Sequence, residues 1–180
     1  TSEYAVSATE AGIVIAAERP AGVFLCSPNN PTGTVEPRAT VEALLAAVLD
    51  HGPGLLIVDE AYGEFADWSA IELVADDVPR VVTRTYSKVW SLAALRLGFA
   101  VAPPAIISEL EKVVLPYHLS VATQIAGREA LRFDPEMRGV TGGDTHPPYA
   151  DPFDALAAQV QEDLAVVRRA AGKDWASAIH

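Results

Sequence analysis

An α/β domain built on a mostly parallel sheet, with helices on both faces, is predicted by three features of this chain. Short apolar runs at 21–27, 54–58 and 81–83 each stop at a cluster of polar residues. Stretches with helical spacing lie between and after them. The first two runs are apolar at successive rather than alternate positions, which fits strands covered on both faces, as in a parallel sheet.

The first run, Ala-Gly-Val-Phe-Leu-Cys-Ser from Ala21 to Ser27, is closed by Pro28-Asn29-Asn30-Pro31-Thr32-Gly33. Two prolines and a glycine cannot continue a ladder, so the strand ends in a hard turn. A helix follows, with Val41, Leu44, Leu45, Val48 and Leu49 at i, i+3, i+4, i+7 and i+8; Pro37 suits its first turn and Gly52 stops it. Gly54 to Val58 is too short for a buried helix and ends at Asp59-Glu60. Val81 to Thr83 is a third strand, running into Arg84-Thr85-Tyr86-Ser87-Lys88. Leu97 to Ala102 is a fourth, and its link from Lys88 has room for only a short helical segment. A helix from Pro104 places Ile106, Ile107, Leu110, Val113 and Val114 on its inner face, and another starts at Ser120, a suitable N-cap, and runs to Phe133.

The character changes after Met137. Residues 138–151 contain Gly139, Gly142, Gly143, Pro147 and Pro148, which is linker chemistry. Residues 152–180 open with a helix that carries Phe153, Leu156, Val160, Leu164 and Val167 on one stripe and stops at Gly172. The plan is therefore a first unit over 1–137, a linker over 138–151 and a C-terminal helix over 152–180.

Composition narrows the function classes. The chain has 180 residues, enough for one domain with a sizeable core, and 50% are hydrophobic against 21% charged, a globular balance. A formal net charge of −11 disfavours non-specific nucleic-acid binding, which depends on Lys and Arg neutralising phosphates. Trp68, Trp90 and Trp175 are too scattered for a base-stacking platform, and the four histidines form no ligand spacing. The single cysteine, Cys26, excludes an intramolecular disulfide framework and fits a reducing cytoplasm. No apolar run is long enough to span a bilayer, and no basic-then-apolar signal opens the chain.

In open α/β sheets, ligands bind beyond the carboxyl ends of the strands. Those ends offer Asn30, then Asp59 with Tyr62, then Ser87-Lys88, with Arg96 beyond. The set matches the needs of pyridoxal phosphate. Lys88 can hold its carbonyl covalently and later shuttle a proton. An acid such as Asp59 keeps the pyridine nitrogen protonated, so that the ring accepts electrons. Asn30 and Tyr62 can donate to the ring's phenolate oxygen, and Thr85, Ser87 and Arg96 can bind the phosphate, Arg96 with a fork geometry suited to its oxygens. Each residue also has a plainer role. Lys88 fits a surface turn, Asp59 a helix cap, Tyr62 simple packing, and Arg96 an ion pair with Glu60 or Asp59. The three segments together favour the shared site.

Ser-Pro-Asn-Asn-Pro-Thr-Gly-Thr, Val-Asp-Glu-Ala-Tyr and Tyr-Ser-Lys-Val-Trp-Ser-Leu-Ala-Ala-Leu-Arg-Leu-Gly-Phe resemble the fold-type I aminotransferases of class I/II. The resemblance covers Ala21 to Met137, with none after Met137 and so none in the helix over 152–180, and Leu115-Pro116-Tyr117-His118 points toward the histidinol-phosphate aminotransferases. It implies a fragment of the large, pyridoxal phosphate-binding domain, with Leu97 to Val101 as the antiparallel strand and the site residues in the roles above. It further implies transamination between histidinol phosphate and 2-oxoglutarate, giving imidazole-acetol phosphate and glutamate, in histidine biosynthesis by a homodimer. Full members are longer. Their glycine-rich phosphate loop, their ring-stacking aromatic residue and their carboxylate-gripping arginine have no counterpart in this sequence, and Arg168 and Arg169 do not sit in the arginine's motif. Cofactor chemistry with weak turnover or none is thus the expectation for this chain by itself. Two alternatives share the same features: another class I/II enzyme, such as a threonine-phosphate decarboxylase, or a non-catalytic interaction module with an exposed sheet edge.

Overall fold

The computed structural model describes residues 4–133 and residue 137. The expected linker over 138–151 and helix over 152–180 lie outside the described residues. The described part opens with a helix that the apolar spacing did not predict, α1 (Ala8–Glu18). Ser7 caps it, its Oγ accepting the Glu10 N–H at 3.3 Å, and Arg19 ends it in the left-handed conformation. Of the consecutive Ile13, Val14 and Ile15 only Ile15 is buried, so there is no stripe to read.

Then come β1 (Gly22–Cys26), α2 (Arg38–His51), β2 (Leu55–Asp59), β3 (Arg80–Thr85), β4 (Gly98–Val101), α3 (Pro104–Glu111) and α4 (Val121–Ala130). The sheet order is β1-β2-β3-β4. The first three strands are parallel and β4 is antiparallel to β3, with Gly98 opposite Thr85. A mixed α/β fold with a mostly parallel sheet is therefore what the chain forms.

Val41, Leu44, Leu45 and Val48 of α2 belong to one buried core with Leu25, Leu56, Val58 and Val82 of the sheet, joined by Ile15 of α1. Val41, Leu56 and Val82 are fully enclosed, and each such side chain contributes about 1.5–3 kcal/mol through removal from water. The opposite face differs from expectation. The row Phe24, Ile57, Val81 grades from 78% exposed through half-buried to buried. Burial in β1 and β2 thus alternates, although their apolar residues are consecutive.

Some helix details also differ. Pro37 occupies the N-cap of α2 rather than its first turn, and Leu49 is exposed. Gly52 follows the helix as expected, with its N–H on Val48 O. The expected inner face of α3 is not buried: the helix stops at Glu111, and Leu110, Val113 and Val114 are exposed. α4 is capped by Ser120, whose Oγ accepts the Thr123 N–H at 3.0 Å, and it passes into a 3-10 turn at Leu131–Phe133. Among the described residues no helix is long and apolar enough to cross a membrane.

Candidate functional site

Three strand ends lie side by side. Cys26 neighbours Asp59, and Asp59 neighbours Thr83. The pairing continues past the strands: Ser27 N–H donates to Asp59 O at 3.0 Å and Glu60 N–H to Thr83 O at 2.9 Å. The loop after β1 is braced by its own backbone. Asn29 N–H reaches Thr34 O at 2.8 Å, and Gly33 N–H reaches Asn29 O at 2.7 Å. Gly33 has φ 69°, a conformation in which a side chain would be strained. From this loop Asn30 Nδ2 donates to the Tyr62 hydroxyl at 2.9 Å.

Asp59 ends β2. Its Oδ1 accepts the Ala61 N–H at 3.0 Å and the Thr83 hydroxyl at 3.4 Å. Strand alternation puts Thr83 and Thr85 on the Asp59 face and turns Arg84 to the other. Beyond β3, the lysine loop is held at both ends. Tyr86 N–H donates to Leu97 O, Leu92 N–H to Tyr86 O and Ser91 N–H to Lys88 O, each at 3.0 Å. The rings of Tyr86 and Trp90, both buried, pack 5.5 Å apart beneath it. Lys88 Nζ lies 5.1 Å from the centre of the Tyr62 ring, within cation–π range. Burial, with a smaller push from the charge of Glu64, raises the Tyr86 phenol to a pKa of about 12.

The Thr85 hydroxyl is engaged inside this loop. It donates to Leu97 O at 3.4 Å and accepts the Ser87 N–H at 3.1 Å. Arg96 follows the 3-10 turn Ala93–Leu95 in the left-handed conformation, φ 52°. Its Nη1 donates to Ala93 O at 3.0 Å and lies 3.5 Å from Ser87 Oγ. The structure therefore joins Asn30, Tyr62 and Lys88 in one chain of contacts and Thr85, Ser87 and Arg96 in another. Asp59 stands between Thr83 and Ala61, and among the described residues it forms no ion pair with Lys88 or Arg96.

Glu60 has a different cation from the one its sequence position suggested. Arg84 Nε and Nη2 donate to Glu60 Oε2 at 3.0 and 2.7 Å, and both side chains are almost fully buried. Arg84 Nη2 also reaches Ser69 Oγ at 3.0 Å, and Nη1 reaches Glu64 Oε1 at 3.3 Å. Ser69 donates to Glu60 Oε2 and Ala70 N–H to Glu60 Oε1, both at 2.6 Å. Trp90 Nε1 donates to the same Glu64 oxygen at 3.4 Å. Sequence reasoning missed this cluster, although Arg84 carried a signal: a charge inside a strand must find a partner when buried.

An amide, a carboxylate, a phenol, an amine and a guanidinium thus stand at or beyond the carboxyl edge of a parallel α/β sheet, where ligands of such folds bind. Residues 4–166 match the family aminotransferase class I and II, and the chain belongs to that family. The match extends past both limits of the motif resemblance, residues 21 and 137, so residues 138–166, expected to lie outside the family, fall within it. The histidinol-phosphate aminotransferase of Thermobifida fusca is 44% identical over 140 residues, which is 76% of this chain and 37% of the relative. That of Nocardia farcinica is 50% identical over 134 residues, 73% of this chain and 34% of the relative. The crystal structure of the histidinol-phosphate aminotransferase of Sinorhizobium meliloti, in complex with pyridoxal 5'-phosphate, superposes with a TM-score of 0.68 at 28% identity. That match covers 75% of this chain and 37% of that one. The chain thus spans little more than a third of the length of the curated relatives it matches.

Proposed function

We propose that this chain supplies the cofactor-holding part of a pyridoxal phosphate-dependent aminotransferase site. The observation that carries the proposal is the contact chain Asn30–Tyr62–Lys88, together with Asp59 at the end of β2 and the Ser87–Arg96 contact in the loop that carries Lys88. The donor set fits the group. Asn30 donates to the Tyr62 oxygen, so the phenol keeps its own hydrogen for an oxyanion. Asp59 is anchored through Oδ1, which leaves Oδ2 to receive a ring N–H. Arg96, with Ser87 beside it, offers a charged fork and a hydroxyl to a phosphate. Thr85 shapes the loop that presents Ser87.

When bound, pyridoxal phosphate supplies the electron sink that stabilises a carbanion at the substrate's α-carbon. The chain's own groups do the rest. Lys88 would hold the cofactor, and its Nζ would take and return the α-proton. Asp59 holds the pyridine nitrogen in its protonated form. Histidinol phosphate and 2-oxoglutarate are the proposed reactants, giving imidazole-acetol phosphate and glutamate. The support for them is the name shared by relatives 44% and 50% identical to this chain. A homodimer working in the cytoplasm completes the proposal.

Titration of the 180-residue chain with pyridoxal phosphate tests it. The expected result is an absorbance near the edge of the visible that borohydride reduces and that is lost in Lys88→Ala. An absorbance that survives in Lys88→Ala would remove the cofactor assignment.

A further inference from the structure

Asp59 and Lys88 come from different strands, and no contact between their side chains fixes their separation. Something else must hold the two loops in step. From the buried cluster under the site we infer that Arg84 is a positioning residue, a clasp that locks the lysine loop to the carboxylate loop. The inference rests on the cofactor reading above only for its catalytic meaning.

The geometry follows from strand alternation. Asp59 and Thr83 face the site, so the next residues, Glu60 and Arg84, turn to the buried side. Their ion pair therefore crosses from β2 to β3 one residue beyond the Asp59–Thr83 pairing. β2 has ended there, and β3 ends one residue further on, at Thr85, before the lysine loop. From that point Arg84 Nη1 reaches Glu64, two residues after Tyr62, and Glu64 receives the indole N–H of Trp90, two residues after Lys88. One guanidinium thus braces the Asp59–Tyr62 arm directly and the Lys88 arm through Glu64 and Trp90. Gly63 lets the guanidinium lie against the loop: a Cβ there would stand 2.7 Å from Arg84 Cζ.

The test must separate positioning from plain stability. The pair Arg84→Met with Glu60→Gln removes both charges, while the new amide still accepts from Ala70 N–H. Amide hydrogen exchange is then followed in the 180-residue chain at Ser91 and Leu92, whose bonds to Lys88 O and Tyr86 O close the lysine loop. The amides of Leu55 and Leu56 in the sheet serve as reference. The expected result is at least tenfold faster exchange at Ser91 and Leu92, with the reference amides unchanged. Pyridoxal phosphate affinity should fall at least tenfold in parallel. Equal acceleration at all four amides would make the cluster merely structural, and unchanged exchange in the loop would remove the clasp; either result overturns the inference. Local acceleration with no Lys88-dependent absorbance in either protein supports the clasp and overturns the cofactor reading instead.

Discussion

Replacing Arg84 alone should unfold the chain more readily than replacing Arg84 and Glu60 together. In Arg84→Met the Glu60 carboxylate, only 4% exposed, keeps the Ser69 and Ala70 donors but loses both guanidinium bonds. Breaking one side of a buried pair costs about 3–5 kcal/mol, because the remaining charge is left uncompensated. At about 4 °C per kcal/mol for a domain of this size, the melting temperature should fall by roughly 12–20 °C. Arg84→Met with Glu60→Gln removes the Glu60 charge, while the Arg84 contact to Glu64 is lost in both variants, so the double variant should recover part of the loss. Thermal unfolding followed by circular dichroism, run as a double-mutant cycle with Glu60→Gln as the second single variant, gives the coupling directly, and the double variant should lose less stability than the two single losses summed. A coupling near zero, or a double variant as weak as Arg84→Met, would refute the assignment of a buried, mutually dependent pair.

Two further outcomes are expected. The Tyr86 phenol is held neutral up to a pKa of about 12 in the folded chain, against 10.0 for a free tyrosine. The unfolded chain therefore ionises first as pH rises, so stability is intact below pH 10 and declines from there to about 12, by on the order of 2 kcal/mol. Alkaline unfolding of Tyr86→Phe, compared with the parent, should show a shallower loss across that window, and parallel curves would contradict the assignment. Gly98→Ala should loosen β4 beside the lysine loop, since its added methyl would meet Arg84 O at 2.8 Å. Overpacking against backbone costs about 1–3 kcal/mol, so a drop of several degrees in melting temperature is expected, and an unchanged one counts against the close contact.

The positions of the candidate site residues were legible in local sequence because those residues are tied to strand ends and turns. Asn30 sits in a double-proline turn, Asp59 closes an apolar run, and Lys88 follows a strand, so short-range signals located all three. α2 was readable for the same kind of reason: its stripe repeats at helical spacing and faces one core. α1 was not, since three consecutive apolar residues in an alanine-rich stretch carry no periodicity. α3 shows the converse. Its apolar spacing predicted an inner face, and the fold leaves Ile106 and Ile107 half-buried and Leu110, Val113 and Val114 exposed.

What the amino-acid order determined by itself was the inventory: which strands form, where they stop, and which chemical groups stand at their ends. Periodicity and turn residues act over a few positions, so they are visible in any one segment. Tertiary structure decided the pairings. Glu60 and Arg84 are 24 residues apart and meet only because parallel register sets Asp59 beside Thr83 and turns the next residues under the sheet. Arg96, whose plainer reading was an ion pair with Glu60 or Asp59, lies instead beside Ser87, because the chain reverses between β3 and β4. Register and chain reversal are long-range properties, fixed by packing between distant segments, and no single segment carries them.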